Sequence, residues 1–162
     1  MHDFLAWLQG SLVGHAMRES GVWTYGVVNL FHILSIASLF GSLLLLDLRL
    51  LGVWRNIPLA ALSRPCVTVG ATGFVIATIT GIGLLATKAT EYMGNPFFYI
   101  KFPAILLGLV NVAALSALPA WKQHRTRELS AAEQSKLAVY GGVSLACWFT
   151  AIAAGRMIGY WS

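Results

Sequence analysis

The chain has 162 residues, 57% of them hydrophobic and only 10% charged, with a mean hydropathy of +0.72 and a formal charge of +5. Soluble domains carry about 25% charged residues, so a water-soluble fold of this length would lack the charges to cover its surface. The cations sit in short connections between apolar runs, not in a stripe interleaved with polar residues, which argues against nucleic acid and for a lipid bilayer as the partner.

The N-terminal MHDFLAWLQG contains Asp3 and no basic stretch, so no cleaved signal peptide is expected. Phe4, Leu5, Leu8 and Leu12 recur at helical spacing, with Trp7 beside them and Asp3, Gln9 and Ser11 in other directions. This pattern predicts a short amphipathic helix over about residues 2–17, lying on the outer membrane surface. Gly14 and Gly21 weaken its end and allow a turn.

Four apolar runs follow, from about Val22 to Leu46, Cys66 to Ala86, Phe97 to Leu118 and Leu137 to Tyr160. Each is close to the roughly 20 helical residues that span a hydrocarbon core. The runs are continuous rather than alternating, and a membrane barrel needs more strands, so helices are the structure that satisfies their backbones in lipid. The expected fold is all-α: one membrane domain over residues 1–162, an integral four-helix bundle preceded by the surface helix.

Lysine and arginine set the orientation. The first and third connections hold Arg49, Arg55, Arg64, Lys122, Arg125, Arg127 and Lys136, against Arg18, Lys88, Lys101 and Arg156 on the other side. This bias places the two long connections in the cytoplasm and both termini outside, which in a bacterial inner membrane is the periplasm. Gly73, Ala77 and Gly81 in the second span, and Cys147, Ala151, Gly155 and Gly159 in the fourth, form small-residue faces for close helix packing. Cys66 and Cys147 read as buried thiols.

An ionisable side chain at membrane depth is costly, so each one requires a reason. His32 is the only histidine inside a span, about 10 Å inward from the level of Tyr25 in the outer half of the bilayer. Tyr25, Asn29 and His32 share one helix face, with Ser35 and Ser42 at its edge, and this stripe is expected to point into the bundle. One reading makes His32 a structural hydrogen-bonding group, with Asn111 or a backbone carbonyl as its partner. Another makes it an axial ligand of b-type haem, with Lys101 and Arg156 pairing with the propionates, and a third gives it a metal-binding or proton-relay role. For a second ligand the outer side offers His15 or Met157.

A copper-handling or transport protein is the alternative, drawing on His2, His15, Met17, Met93 and Met157, although these are scattered. Asp47 and Arg49 mark the inner end of the first span and suggest a local ion pair or a contact with the third connection. No phosphate loop, hydrolase triad, zinc spacing or carboxylate pair is present, so no catalytic residue is assigned.

The segments FHILSIASLFGSLLLLDLRLLG (Phe31 to Gly52), NPFFYIKFPAILLGLVN (Asn95 to Asn111) and AAGRMIGYW (Ala153 to Trp161) resemble a family of small bacterial four-span membrane proteins without a settled activity. In plan this family is distantly similar to the copper-resistance D membrane proteins. The resemblance implies the same topology and puts His32, Lys101, Asn111 and Arg156 on recurrent polar positions. It also implies that Asn29 stands where relatives carry an acid, and Ser116 near a place where they carry a histidine. The function expected is a non-catalytic inner-membrane subunit or anchor of a periplasmic redox or metal-handling system. It would hold haem b or a quinone near His32 and associate with another membrane or periplasmic redox subunit. A purely structural accessory subunit is the plainer version.

Overall fold

The computed structural model describes residues 2–161 and, for side chains, residues 3–161. Two short helices, α1 (His2–Gln9) and α2 (Leu12–Glu19), precede four long ones: α3 (Gly21–Leu50), α4 (Leu59–Thr87), α5 (Pro96–Ala117) and α7 (Ala131–Ile158). A 3-10 segment, Ala89–Gly94, joins α4 to α5, and the five-residue α6 (Pro119–Gln123) follows α5. The chain is thus all-α among its described residues, with four helices long and apolar enough to cross a membrane.

Lipid is the solvent these surfaces require. Leu30, Phe31, Ile79, Leu106, Val139 and Phe149 each expose more than half of their surface. In water they would form an apolar patch far larger than soluble proteins tolerate. Most of the buried apolar side chains gather in two small clusters. Leu46, Leu50, Cys66, Leu115, Ala120 and Leu137 pack at the end that carries the α3–α4 and α6–α7 connections, labelled inner after the expected orientation, and Leu5, Leu8, Ala86, Ala89 and Phe98 at the opposite end, labelled outer.

The helices extend past the apolar runs. Helix α4 begins at Leu59 rather than Cys66 and runs through Pro65, and α7 begins at Ala131 rather than Leu137. Outside the hydrocarbon, water satisfies the ends, so helical winding is not limited by apolarity. The start of α7 is a capping box: Ser130 accepts from the Glu133 amide and the Glu133 carboxylate accepts from the Ser130 amide. Ser-Ala-Ala-Glu is a legible N-terminal signal that hydropathy alone passes over.

The single surface helix is two. Ser11 caps α2 by accepting from the Gly14 amide, and Gly14 lies inside α2, buried, instead of ending it. Gly21, at φ +80°, makes the turn into α3, a conformation that a side chain disfavours. Of the apolar stripe only Leu5 and Leu8 are buried, whereas Phe4, Trp7 and Leu12 are exposed. Polar bonds hold this layer on the outer ends of the long helices. The Gln9 side-chain oxygen accepts from the Thr90 amide at 2.9 Å and hydroxyl at 2.8 Å, and Arg18 donates to the Gln9 carbonyl at 2.8 Å.

The long helices pack in the order α4, α3, α7, α5. Helices α4 and α5, though consecutive, make no extensive contact. At mid-depth Trp148 of α7 bridges them: its ring stands edge-on to Phe74 of α4, centroids 6.0 Å apart, and lies over Gly108 of α5.

Candidate functional site

His32 projects from α3 toward α4. Its Nδ1 lies 3.0 Å from the Thr80 hydroxyl. Thr80 donates its one proton to the Ile76 carbonyl at 2.7 Å. With that proton on Ile76, the hydroxyl accepts from the Nδ1–H of His32, and in this tautomer Nε2 keeps its lone pair. Gly81 makes room for the ring, since a Cβ there would lie 3.0 Å from the imidazole Cε1.

Lys101 of α5 is half-buried and within electrostatic reach of His32. Its methylenes lie across Gly155 of α7, where a Cβ would sit 3.5 Å from both Cε and Nζ. The small-residue faces thus have an assigned use: Gly81 seats the histidine and Gly155 the lysine. Both residues lie about 10 Å to the outer side of the Trp148 bridge, counting along α4 from Phe74 to Thr80 and along α5 from Gly108 to Lys101. The arrangement can do two things. Nε2 can ligate a metal centre or accept a proton, and the ammonium can pair with a carboxylate or carbonyl oxygen.

The other sequence-selected residues disperse. Asn111 does not meet His32; its amide donates to the Tyr140 carbonyl at 3.0 Å and ties α5 to α7. Arg156 is exposed, donates to the Tyr160 hydroxyl and lies over that ring, 4.7 Å from its centroid. Tyr25 is exposed at the outer rim near Tyr92, whose hydroxyl is pushed above its ordinary value by burial, with Tyr25 and Glu91 adding to the effect. Asn29 is half-buried one turn from His32, while His15 and Met157 are exposed. The side chain of His2 lies outside the described residues. Among the described residues no three His, Cys, Asp or Glu side chains gather as a metal site.

Residues 4–161 match the profile of DUF6644, a family of unknown function. The chain belongs to this family. No curated protein and no solved structure matches it.

The settings of three polar groups of this DUF6644 member escape a reading of single spans. Thr80 is one, because a threonine on an apolar helix carries no mark until its neighbour is known. His124 is another: this buried imidazole donates through Nδ1 to the Trp121 carbonyl and bonds the Ser63 hydroxyl through Nε2 at 2.7 Å. Asp47 is the third. It is 3% exposed and faces α7, with Ser144 against one oxygen and no partner for Oδ2. Arg49 does not pair with it, since its guanidinium donates to the Ile57 carbonyl at 2.6 Å. A carboxylate at the C-terminal end of a helix meets the negative end of the macrodipole, and burial with one oxygen unpaired adds to the cost. Asp47→Asn is therefore expected to raise thermal stability by about 1 kcal/mol, read as a higher unfolding temperature in detergent. A lower one would mean that the carboxylate holds a partner.

Proposed function

We propose that this chain is a non-catalytic subunit of a bacterial inner-membrane redox system, holding b-type haem at His32 on the periplasmic side of the bilayer. The observation that supports this reading is the His32–Thr80 hydrogen bond, which orients the imidazole and, with the proton on Nδ1, would leave Nε2 free to ligate. A histidine fixed through its other nitrogen is the usual arrangement at a metal centre. Lys101 is the cation that would pair with a propionate. Haem would supply a one-electron store; the protein residues would bind it, orient it and set its polarity. The orientation rests on the seven-to-four distribution of lysine and arginine between the two sides.

A quinone is the second reading, favoured by the separation of α4 from α5 and by the exposed position of His15 on α2. There Lys101 would donate to one carbonyl oxygen and Nε2 would accept from the reduced hydroxyl.

The test is a dithionite-reduced minus oxidised visible spectrum of protein purified in mild detergent, alongside His32→Ala. A sharp α-band in the wild type and its loss in the variant are expected. A flat spectrum, with a quinone extractable from wild type but not from His32→Ala, would transfer the site to the second reading. Absence of both would end the cofactor proposal and leave a structural accessory subunit.

A further inference from the structure

The inner end of the bundle holds a cavity of about 860 Å³ between the connection that follows α3 and the one that precedes α7. Its walls include Arg49, Arg55, Arg125 and Arg127, and Glu128 is the only carboxylate among the described residues that line it. Arg127 is committed elsewhere, donating to both Glu133 oxygens at 2.9 and 2.5 Å. The other three arginines have no carboxylate partner among the described residues. Arg49 also reaches the Arg55 carbonyl at 3.5 Å, so the two cations lie side by side, and they are held there by structure. Arg49 is tied to the Ile57 carbonyl, and Arg55 folds back over Gly52, where a Cβ would lie 2.9 Å from its guanidinium. Like charges constrained side by side at the rim of a cavity form a site for a counter-anion. The start of α4 adds to this. Pro58 provides no side-chain acceptor for the first turn, and Leu59 and Ala60, whose amides begin the helix, line the same cavity.

We propose that this cavity is a binding site for a phosphate-bearing anion, held by Arg49, Arg55 and Arg125 and completed by the first turn of α4. Guanidinium groups match phosphate oxygens in pairs, and backbone amides at a helix start bond the remaining oxygen. The phosphate can come from an anionic lipid headgroup of the same leaflet or from a small soluble phosphate. The site lies at the opposite end of the bundle from His32 and does not depend on the reading of that residue.

The experiment is thermal unfolding of the full chain in neutral detergent at constant ionic strength. It is titrated with cardiolipin in mixed micelles, with phosphatidylcholine as the control, and separately with inorganic pyrophosphate. A saturable rise of several degrees is expected, because a ligand of the folded state stabilises it by mass action. A rise with cardiolipin alone identifies a headgroup, and one that pyrophosphate also produces identifies a soluble phosphate. Half-saturation should weaken about tenfold in Arg125→Gln and further in Arg49→Gln/Arg55→Gln, and remain unchanged in Arg64→Gln, which removes an exposed arginine outside the cavity. Arg125 has no hydrogen-bonded partner among the described residues, so its variant tests the site even if the double variant fails to fold. No saturable rise with either probe, or equal weakening in Arg125→Gln and Arg64→Gln, would overturn the proposal.

Discussion

Replacing Gly73 with valine is expected to remove most of the folded protein. Helices α3 and α4 form the longest packed pair in the bundle, and at Gly73 their backbones touch. A Cβ built there would lie 2.8 Å from the Ser35 carbonyl oxygen and 2.9 Å from the Leu39 amide nitrogen. Neither atom belongs to a side chain that can rotate away, so even one methyl group forces the helices apart. Overpacking in soluble cores costs about 1–3 kcal/mol, and displacement along a whole helix pair falls at or above the upper end. The control is Gly41→Val, another glycine inside α3, where nothing lies within 4 Å of the added Cβ. Both changes carry a similar penalty in helix propensity, so the difference between them isolates packing. Fluorescence-detected size exclusion should show a monodisperse peak for Gly41→Val and loss of that peak for Gly73→Val. Equal peaks would mean that α3 and α4 do not cross at Gly73.

Truncating Trp148 to alanine is expected to cost about 3–5 kcal/mol, the range for a large aromatic removed from a core. Trp148 is 4% exposed and fills the space between α4 and α5, against Phe74 on one side and Gly108 on the other. No neighbouring side chain can replace it, since Gly108 has none. The indole Nε1 has no hydrogen-bond partner, so the contribution is one of volume and shape alone. Trp148→Phe should therefore retain most of the stability, losing about 1–2 kcal/mol. Unfolding in SDS or by heat, followed on both variants, checks the ratio. A loss in Trp148→Phe as large as in Trp148→Ala would show that the indole nitrogen has a partner, and the account of the bridge would fail.

The order of packing explains why these two residues dominate. Sequence spacing shows that Gly73, Ala77 and Gly81 lie on one face, but not that Gly73 meets backbone while Gly81 meets an imidazole. These two glycines of one motif have different consequences: at Gly73 a Cβ collides with a rigid helix, and at Gly81 with a ring that can turn.

Composition and hydropathy by themselves determined that the chain is all-α with four membrane-spanning helices, because lipid offers backbone groups no alternative partner and 10% charged residues are too few to cover a water-soluble fold. The segment around residues 31–52 and those around 95–111 and 153–161 also carried the likeness to a four-span family, and the match over residues 4–161 shows family membership. Periodicity marked Tyr25, Asn29 and His32 as one face, since a helical repeat is local. It could not say which of the polar residues elsewhere would meet that face. Only the tertiary structure paired His32 with Thr80 and brought Lys101 near it, sent Asn111 to Tyr140 and Arg156 to Tyr160, and buried Asp47 against α7 instead of pairing it with Arg49. The physical reason is that hydropathy registers how far a residue lies from water, whereas a partner depends on the rotation and order of helices. Those are decided by where glycine lets two backbones meet.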